Sequence, residues 1–302
     1  MPDMPETKAT RTERPVAMTI AGSDSGGGAG IQADLLTFDA YGVHGTSAVT
    51  CLTAQNPESV SKVIPASAEF VREQMLQVTR YFNVPVVKTG MLYSEEIIGT
   101  VASFLEDHPA IQAVVDPVMV ATSGALLLQD SAIESLKARL LSRAELITPN
   151  LDEAGVLAGK RPGDILAMIE TGRRLQGDFG CAVLMKGGHL EGEEVLDVLV
   201  DGSNEPAVFK YRRLPELNTH GSGCIFSAAI AAALARGDTM SAAVADARAF
   251  LHHCMLAPKA LAGNRFIDPS AARKVRTSSL SDLASRQSPT DSQGRPLSVD
   301  SD

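Results

Sequence analysis

Val16-Ala17-Met18-Thr19-Ile20-Ala21 runs without a charge into Gly22-Ser23-Asp24-Ser25-Gly26-Gly27-Gly28-Ala29-Gly30, and Ile31, Leu35 and Phe38 then recur on one face until Gly42. An aliphatic run, a glycine loop and an amphipathic stretch stopped by glycine read as strand, tight turn and helix. The alternation repeats downstream. Strands are predicted at 46–52, 84–88, 113–118, 146–148 and 182–186, and helices near 67–80, 94–106, 130–141 and 162–176. Val- and Ile-rich strands alternating with amphipathic helices specify an α/β fold with a mostly parallel central sheet and helices on both faces. Ligands in such sheets bind outside the carboxyl ends of the strands. Gln55-Asn56, Gly90-Met91, Asp116-Pro117, Asn150 and Lys186-Gly187-Gly188 all fall at such ends.

Two later runs, 194–201 and 207–214, read as an antiparallel pair around Asp201-Gly202-Ser203-Asn204. Thr219-His220-Gly221-Ser222-Gly223-Cys224 then leads into an Ala-rich helix ending at Arg236-Gly237, and another helix follows to about Ala257. The simplest parse is a loose leader over 1–15, one domain over 16–270 and a disordered tail over 277–302, where Ser, Asp, Gln and Pro replace apolar residues.

Composition narrows the function. The 302 residues are 44% hydrophobic and 21% charged, which suits a globular chain. A net charge of −9 argues against non-specific nucleic-acid binding. No apolar run approaches the ~20 residues that cross a bilayer. Cys51, Cys181, Cys224 and Cys254 show no C-x-x-C spacing, and no secretory signal precedes them, so a reduced cytoplasmic protein is expected.

Neither glycine loop matches a nucleotide fingerprint: Gly26-Gly27-Gly28-Ala29-Gly30 is not G-x-G-x-x-G, and no G-x-x-x-x-G-K-[ST] occurs. The first loop is either a tight turn or a place where backbone approaches a small ligand, with Asp34 one turn inside the helix. The second, Gly221-Ser222-Gly223, is either a flexible helix start or an anion site, because the first N–H groups of a helix lack intrahelical partners. A thiol at that helix start, Cys224, has an expected lowered pKa and is a candidate base or nucleophile; otherwise it is a small core residue. Asn150 and Glu153 fit a capping box, water-mediated Mg²⁺ binding, or both. Lys186 closes a strand before two glycines, where its point charge suits phosphate.

Taken in order, Ala21-Gly22-Ser23-Asp24-Ser25-Gly26-Gly27-Gly28-Ala29-Gly30-Ile31-Gln32-Ala33-Asp34, Thr53-Ala54-Gln55-Asn56, Lys88-Thr89-Gly90-Met91-Leu92, Asp116-Pro117-Val118-Met119, Thr148-Pro149-Asn150-Leu151-Asp152-Glu153-Ala154, Met185-Lys186-Gly187-Gly188-His189 and Asn218-Thr219-His220-Gly221-Ser222-Gly223-Cys224 resemble the hydroxymethylpyrimidine/phosphomethylpyrimidine kinases of thiamine biosynthesis, in the ribokinase-like superfamily. The resemblance spans roughly 16–260. It implies two phosphoryl transfers from ATP with Mg²⁺, first to the pyrimidine's hydroxymethyl oxygen and then to the monophosphate. It implies that Gln55 and Asp34 bind the aminopyrimidine edge while Gly22, Met91 and Val118 line its pocket. Gly221, Ser222 and Gly223 then form the anion hole, and Cys224 is the base. Asn150, Glu153 and Lys186 organise Mg²⁺ and phosphate, with Asp116 also near the metal. A homodimer is implied too. The chain departs from the family after Leu261, where Ala262-Gly263-Asn264-Arg265-Phe266-Ile267 replaces a Gly-Pro segment with a late His. Two other readings compete: a pyridoxal or pyridoxine kinase of the same superfamily, and a non-catalytic pyrimidine-binding protein.

Overall fold

The computed structural model describes residues 13–119, 130–203, 205–215 and 217–272. Its strands are β1 (Val16–Asp24), β2 (His44–Asn56), β3 (Ser59–Pro65), β4 (Val86–Thr89), β5 (Gln112–Val115), β6 (Leu146–Ile147), β7 (Ala182–Lys186), β8 (Glu194–Val200), β9 (Ala207–Arg212), β10 (Lys259–Leu261) and β11 (Asn264–Phe266). The first nine form one sheet in the order β3-β2-β1-β4-β5-β6-β7-β8-β9. The run β2-β1-β4-β5-β6-β7 is parallel throughout. Antiparallel partners close both ends: β3 on one side, β8 and β9 on the other.

The helices are α1 (Gly30–Ala40), α2 (Ala68–Tyr81), α3 (Glu95–Asp107), α4 (Asp130–Ser135), α5 (Leu151–Ala158), α6 (Ile165–Phe179), α7 (Ser222–Ala235) and α8 (Met240–Leu256). Strand side chains alternate between two cores, as a period of two requires. Met18, Val87, Val115, Ile147 and Val183 face the core shared with α2 to α6. Ala17, Val86, Val114, Leu146 and Leu184 face α1, α7 and α8. Ile225 to Leu234 of α7 are all buried, which explains why this helix is apolar all round.

Several boundaries differ from the sequence expectation. Helix α4 does not continue to 141 as one α-helix; it passes through a π turn (Leu136–Leu140) into a 3₁₀ turn (Leu141–Arg143). Strand β3, absent from the sequence reading, pairs with the far half of β2. Within the stretch read as leader, Arg14 is already anchored, donating to Asp39 at 2.8 Å and to the Gly42 carbonyl at 2.8 Å. Residues 1–12 and the 277–302 tail lie outside the described residues.

The departing C-terminal segment forms a β10–β11 hairpin whose turn residues, Ala262 and Gly263, both take positive φ, at 49° and 78°. That is the backbone a two-residue hairpin loop demands. The hairpin docks on the segment that leads into α7: Asn218 donates its N–H to the Arg265 carbonyl at 3.0 Å.

Candidate active site

All six parallel strands deliver their carboxyl ends to one edge of the sheet, and α7 begins over that edge. Together they enclose a cavity of about 560 Å³. Of the residues to which the family resemblance assigns a binding or catalytic role, all except Asp34 lie on its wall, including Gly22, Gln55, Met91 and Val118.

The first glycine loop is folded around Asp24. Its Oδ1 accepts the Gly26 N–H at 2.7 Å, and its Oδ2 accepts those of Gly28 at 3.0 Å and Ala29 at 2.8 Å. The Gln55 side chain also lies close enough to favour the ionised form of this carboxylate. Burial works against the charge on Asp24, but hydrogen bonds from His220, Gln55 and the loop outweigh it and hold the carboxyl far below its usual range. An acceptor-only carboxylate must take the amide N–H of Gln55.

Met91 is fixed through its backbone, its carbonyl accepting the Thr50 hydroxyl at 2.7 Å. Gly22 has no room for a side chain; a Cβ there would stand 2.7 Å from Cys51 Sγ. Cys51, Cys181 and Cys254 are buried.

At the second loop, Gly221 caps α7 with φ of 81°, and a Cβ would fall 1.8 Å from the Gly28 carbonyl oxygen. Only glycine permits that approach. The Ser222 N–H is donated to the Thr219 carbonyl at 3.0 Å, so its backbone closes the turn. A Cβ on Gly223 would sit 3.3 Å from Lys186 Nζ. The start of α7 and the ammonium therefore share one small volume, where helix dipole and point charge add.

Lys186 Nζ donates to Asp116 Oδ1 at 2.7 Å, and Asp116 also accepts from the Thr148 and Ser227 hydroxyls. Burial disfavours both charges, but the pair more than compensates: the carboxyl lies below and the ammonium above its ordinary range. Asn150 and Glu153 form the capping box expected of them. Asn150 Oδ1 accepts the Asp152 and Glu153 N–H groups at 2.9 Å, and Glu153 Oε2 accepts the Asn150 N–H at 2.8 Å. Burial pushes the Glu153 carboxyl up to about 7, Lys186 opposing and Asp116 adding to the push.

Two expectations are corrected. Asp34 is wholly buried beneath the wall: Lys88 Nζ lies 3.0 and 2.9 Å from its two oxygens, and Thr19 donates to it at 2.6 Å. With its lone pairs taken and no surface on the cavity, it holds Lys88 in place of a pyrimidine edge. Cys224 opens on the cavity, yet burial drives its thiol up to about 11; Lys88 opposes the shift and the nearby Asp34 and Asp116 reinforce it. The place at the helix start does not offset that burial.

Sequence reasoning missed Asp24, His220 and Lys88. The signal for Asp24 was its place directly before a glycine run, where an Asx side chain can fold the backbone. A Lys inside the apolar stretch of β4 was the signal for Lys88, since an ammonium there must have a buried partner.

A parallel sheet with a cavity at its strand ends, a glycine loop opening a helix and a lysine beside that loop are the marks of a ribokinase-like small-molecule kinase. The sequence pattern of phosphomethylpyrimidine kinases matches residues 24–269. A hydroxymethylpyrimidine/phosphomethylpyrimidine kinase of Rhizobium meliloti is 46% identical over 238 residues, covering 78% of this chain and 89% of that one. Among solved structures, phosphomethylpyrimidine kinase from Clostridium difficile superposes with a TM-score of 0.71 at 37% identity, covering 79% of this chain and 98% of the other. An ADP complex of Bacillus subtilis pyridoxal kinase gives 0.79 at 34% identity, covering 86% and 99%. The chain belongs to the phosphomethylpyrimidine kinase family.

Proposed function

We propose that this chain moves the terminal phosphoryl group of ATP to the hydroxymethyl oxygen of 4-amino-5-hydroxymethyl-2-methylpyrimidine. It then extends the monophosphate to the diphosphate, in thiamine biosynthesis. The observation that carries this reading is the convergence of Gln55, the Gly221-Ser222-Gly223 loop, Lys186 and Cys224 on one cavity. Gln55, oriented by Asp24, presents its carbonyl oxygen to the exocyclic amine. Gly22, Met91 and Val118 form the apolar walls around the ring.

Phosphoryl transfer asks for positioning and charge stabilisation more than covalent chemistry. The start of α7 and Lys186 supply positive potential where charge develops on the transferred group. Cys224 accepts the hydroxymethyl proton in the first step. With its thiol at about 11, the thiolate is scarce at neutral pH but strongly basic once formed. The second step begins from a phosphate oxygen that carries no such proton.

Among the described residues no three His, Cys, Asp or Glu side chains cluster as a protein-only metal cage. Glu153 and Asp116, beside Asn150, are instead two buried carboxylates near Lys186, a donor set that fits a hydrated Mg²⁺ completing its shell with water and phosphate. When bound, the ion neutralises phosphate charge. The ADP complex of the Bacillus subtilis relative supports a nucleotide as donor.

A homodimer is part of the same reading. Leu52 and Ile64 are cross-strand partners on the β2–β3 ribbon, 57% and 53% exposed, an apolar face that a second copy can cover. No helix among the described residues is long and apolar enough to cross a membrane, and the buried free thiols fit a reducing cytoplasm.

Mass spectrometry of products from the pyrimidine, ATP and Mg²⁺ tests the proposal: both mono- and diphosphate must appear, and ATP turnover must depend on the pyrimidine. The likeness to the Bacillus subtilis pyridoxal kinase supports a second activity on pyridoxal. Comparing kcat/KM for the two alcohols ranks them, and a large preference for pyridoxal would overturn the first reading.

A further inference from the structure

The two glycine loops belong to different ends of the chain, yet they are fastened together at one point. His220 Nε2 lies 3.2 Å from Asp24 Oδ2, the oxygen that also accepts the Gly28 and Ala29 N–H groups. Both residues are nearly or largely withdrawn from solvent, with side chains 15% and 2% exposed. An ionised carboxylate only accepts, so the imidazole Nε2 must carry a proton. Two absent side chains make the approach possible. A Cβ on Gly28 would meet His220 Cδ2 at 2.9 Å, and one on Gly221 would meet the Gly28 carbonyl oxygen at 1.8 Å.

His220 is braced from behind as well. Its N–H donates to Asn218 Oδ1 at 2.9 Å, and the Asn218 backbone is bonded to the β10–β11 hairpin. In front, the next residue is Gly221, the cap of α7, with Gly223 and Cys224 in the first turn. Fixing the imidazole therefore fixes the start of the helix relative to the loop that holds Gln55 through Asp24.

We propose that His220 is a positioning residue: its bond to Asp24 latches the anion loop onto the substrate loop, setting the distance between the acceptor oxygen and the phosphoryl site. This rests on the kinase reading above. It assigns to His220 the bond from Nε2 to Asp24, and neither proton transfer nor contact with the phosphoryl group. Released from the latch, the start of α7 is free to shift while the Asp24–Gln55 half of the pocket stays folded on its own backbone donors.

The test uses full-length protein, with kcat, KM and the pyrimidine Kd measured for wild type, His220→Phe and His220→Gln. Phe fills the ring's space without a donor; Gln places an amide N–H near the position of Nε2. Misplacing reacting groups by an ångström costs on the order of 10²-fold in rate, so H220F should lose roughly that in kcat for both phosphorylations. Its pyrimidine Kd and melting temperature should stay near wild type, and H220Q should recover most of the rate. If H220F does not accumulate as folded protein, Asn218→Ala, which loosens the same histidine, should show the same kcat-selective loss. Wild-type turnover with an undiminished H220F overturns the latch alone. A loss that tracks Tm and Kd together, or that Gln fails to rescue, reduces His220 to packing and overturns it too. Failure of wild type to phosphorylate the pyrimidine overturns the functional reading and the latch with it.

Discussion

Lys88 and Asp34 form an ion pair with neither side chain reaching solvent, Nζ standing 2.9 Å from one carboxylate oxygen and 3.0 Å from the other. Register explains the meeting. Thr19 of β1 is the direct neighbour of Lys88 on β4, both face α1, and the Thr19 hydroxyl completes the coordination of Asp34. Removing one partner of such a pair strands a buried charge at a cost of ~3–5 kcal/mol, whereas apolar replacement of both is often neutral. Lys88→Met should therefore be severely destabilised in urea unfolding, and the K88M/D34L double variant should regain most of the loss. A double variant no better than the single would show that the site needs the charges for more than mutual compensation.

Gln55→Ala removes the side chain that Asp24 orients toward the cavity. It leaves a polar ligand edge without a partner, so pyrimidine binding should weaken by ~1–3 kcal/mol in calorimetry. Nucleotide affinity should be unchanged, because the proposed reading sets Gln55 against the pyrimidine. An unaltered pyrimidine Kd would take Gln55 out of the site.

Cys224→Ala separates base catalysis from loop shape. Loss of a general base costs ~10²–10⁴-fold, and the first phosphorylation should fall by that order while the second falls far less. The sign of the pH dependence follows from the raised thiol. Below about 11 the base is the minority form, so the wild-type first step should climb with pH, about tenfold per unit where chemistry limits the rate. The second step should lack that slope. Equal losses on both substrates, or a flat profile, would make Cys224 a spacer.

Gly221→Ala challenges the closest backbone contact between the loops. Its φ of 81° costs an L-residue ~1–2 kcal/mol, and the new Cβ would also collide with the Gly28 carbonyl oxygen. The loops must part to admit it, so the variant should melt clearly below wild type and lose kcat disproportionately. Wild-type kcat would mean that the loops can part without consequence.

The parallel body of the sheet was legible because each strand is a short β-branched run followed by turn residues, and period-two burial on both faces leaves few alternatives. The cavity wall was legible too, since strand ends are where such folds bind ligands. The role of Asp34 was not. Its partner lies 54 positions away, and only the register between β1 and β4 brings Thr19 and Lys88 beneath it. The thiol of Cys224 was misjudged for a related reason: the helix start is visible locally, whereas the burial and the carboxylates of Asp34 and Asp116 arrive from other elements. Strand β3 escaped notice because Ser59-Val60-Ser61-Lys62-Val63-Ile64-Pro65 is an edge ribbon ending in proline, its pairing dictated by β2 and not by a core.

Of the four cysteines, Cys51, Cys181 and Cys254 are sealed in the interior, while Cys224 alone opens on the cavity. The folded chain thus offers one sulfur to an electrophile, placed on the wall of the cavity proposed to take the acceptor ring. A pyrimidine bearing a weak Michael acceptor in place of its hydroxymethyl group would be held at that sulfur long enough to react despite the scarcity of thiolate. The adduct would be countable as a single added mass on the intact protein. The cysteine proposed as the base of the first transfer is in this sense also a built-in handle, through which occupancy of the cavity can be titrated one molecule at a time.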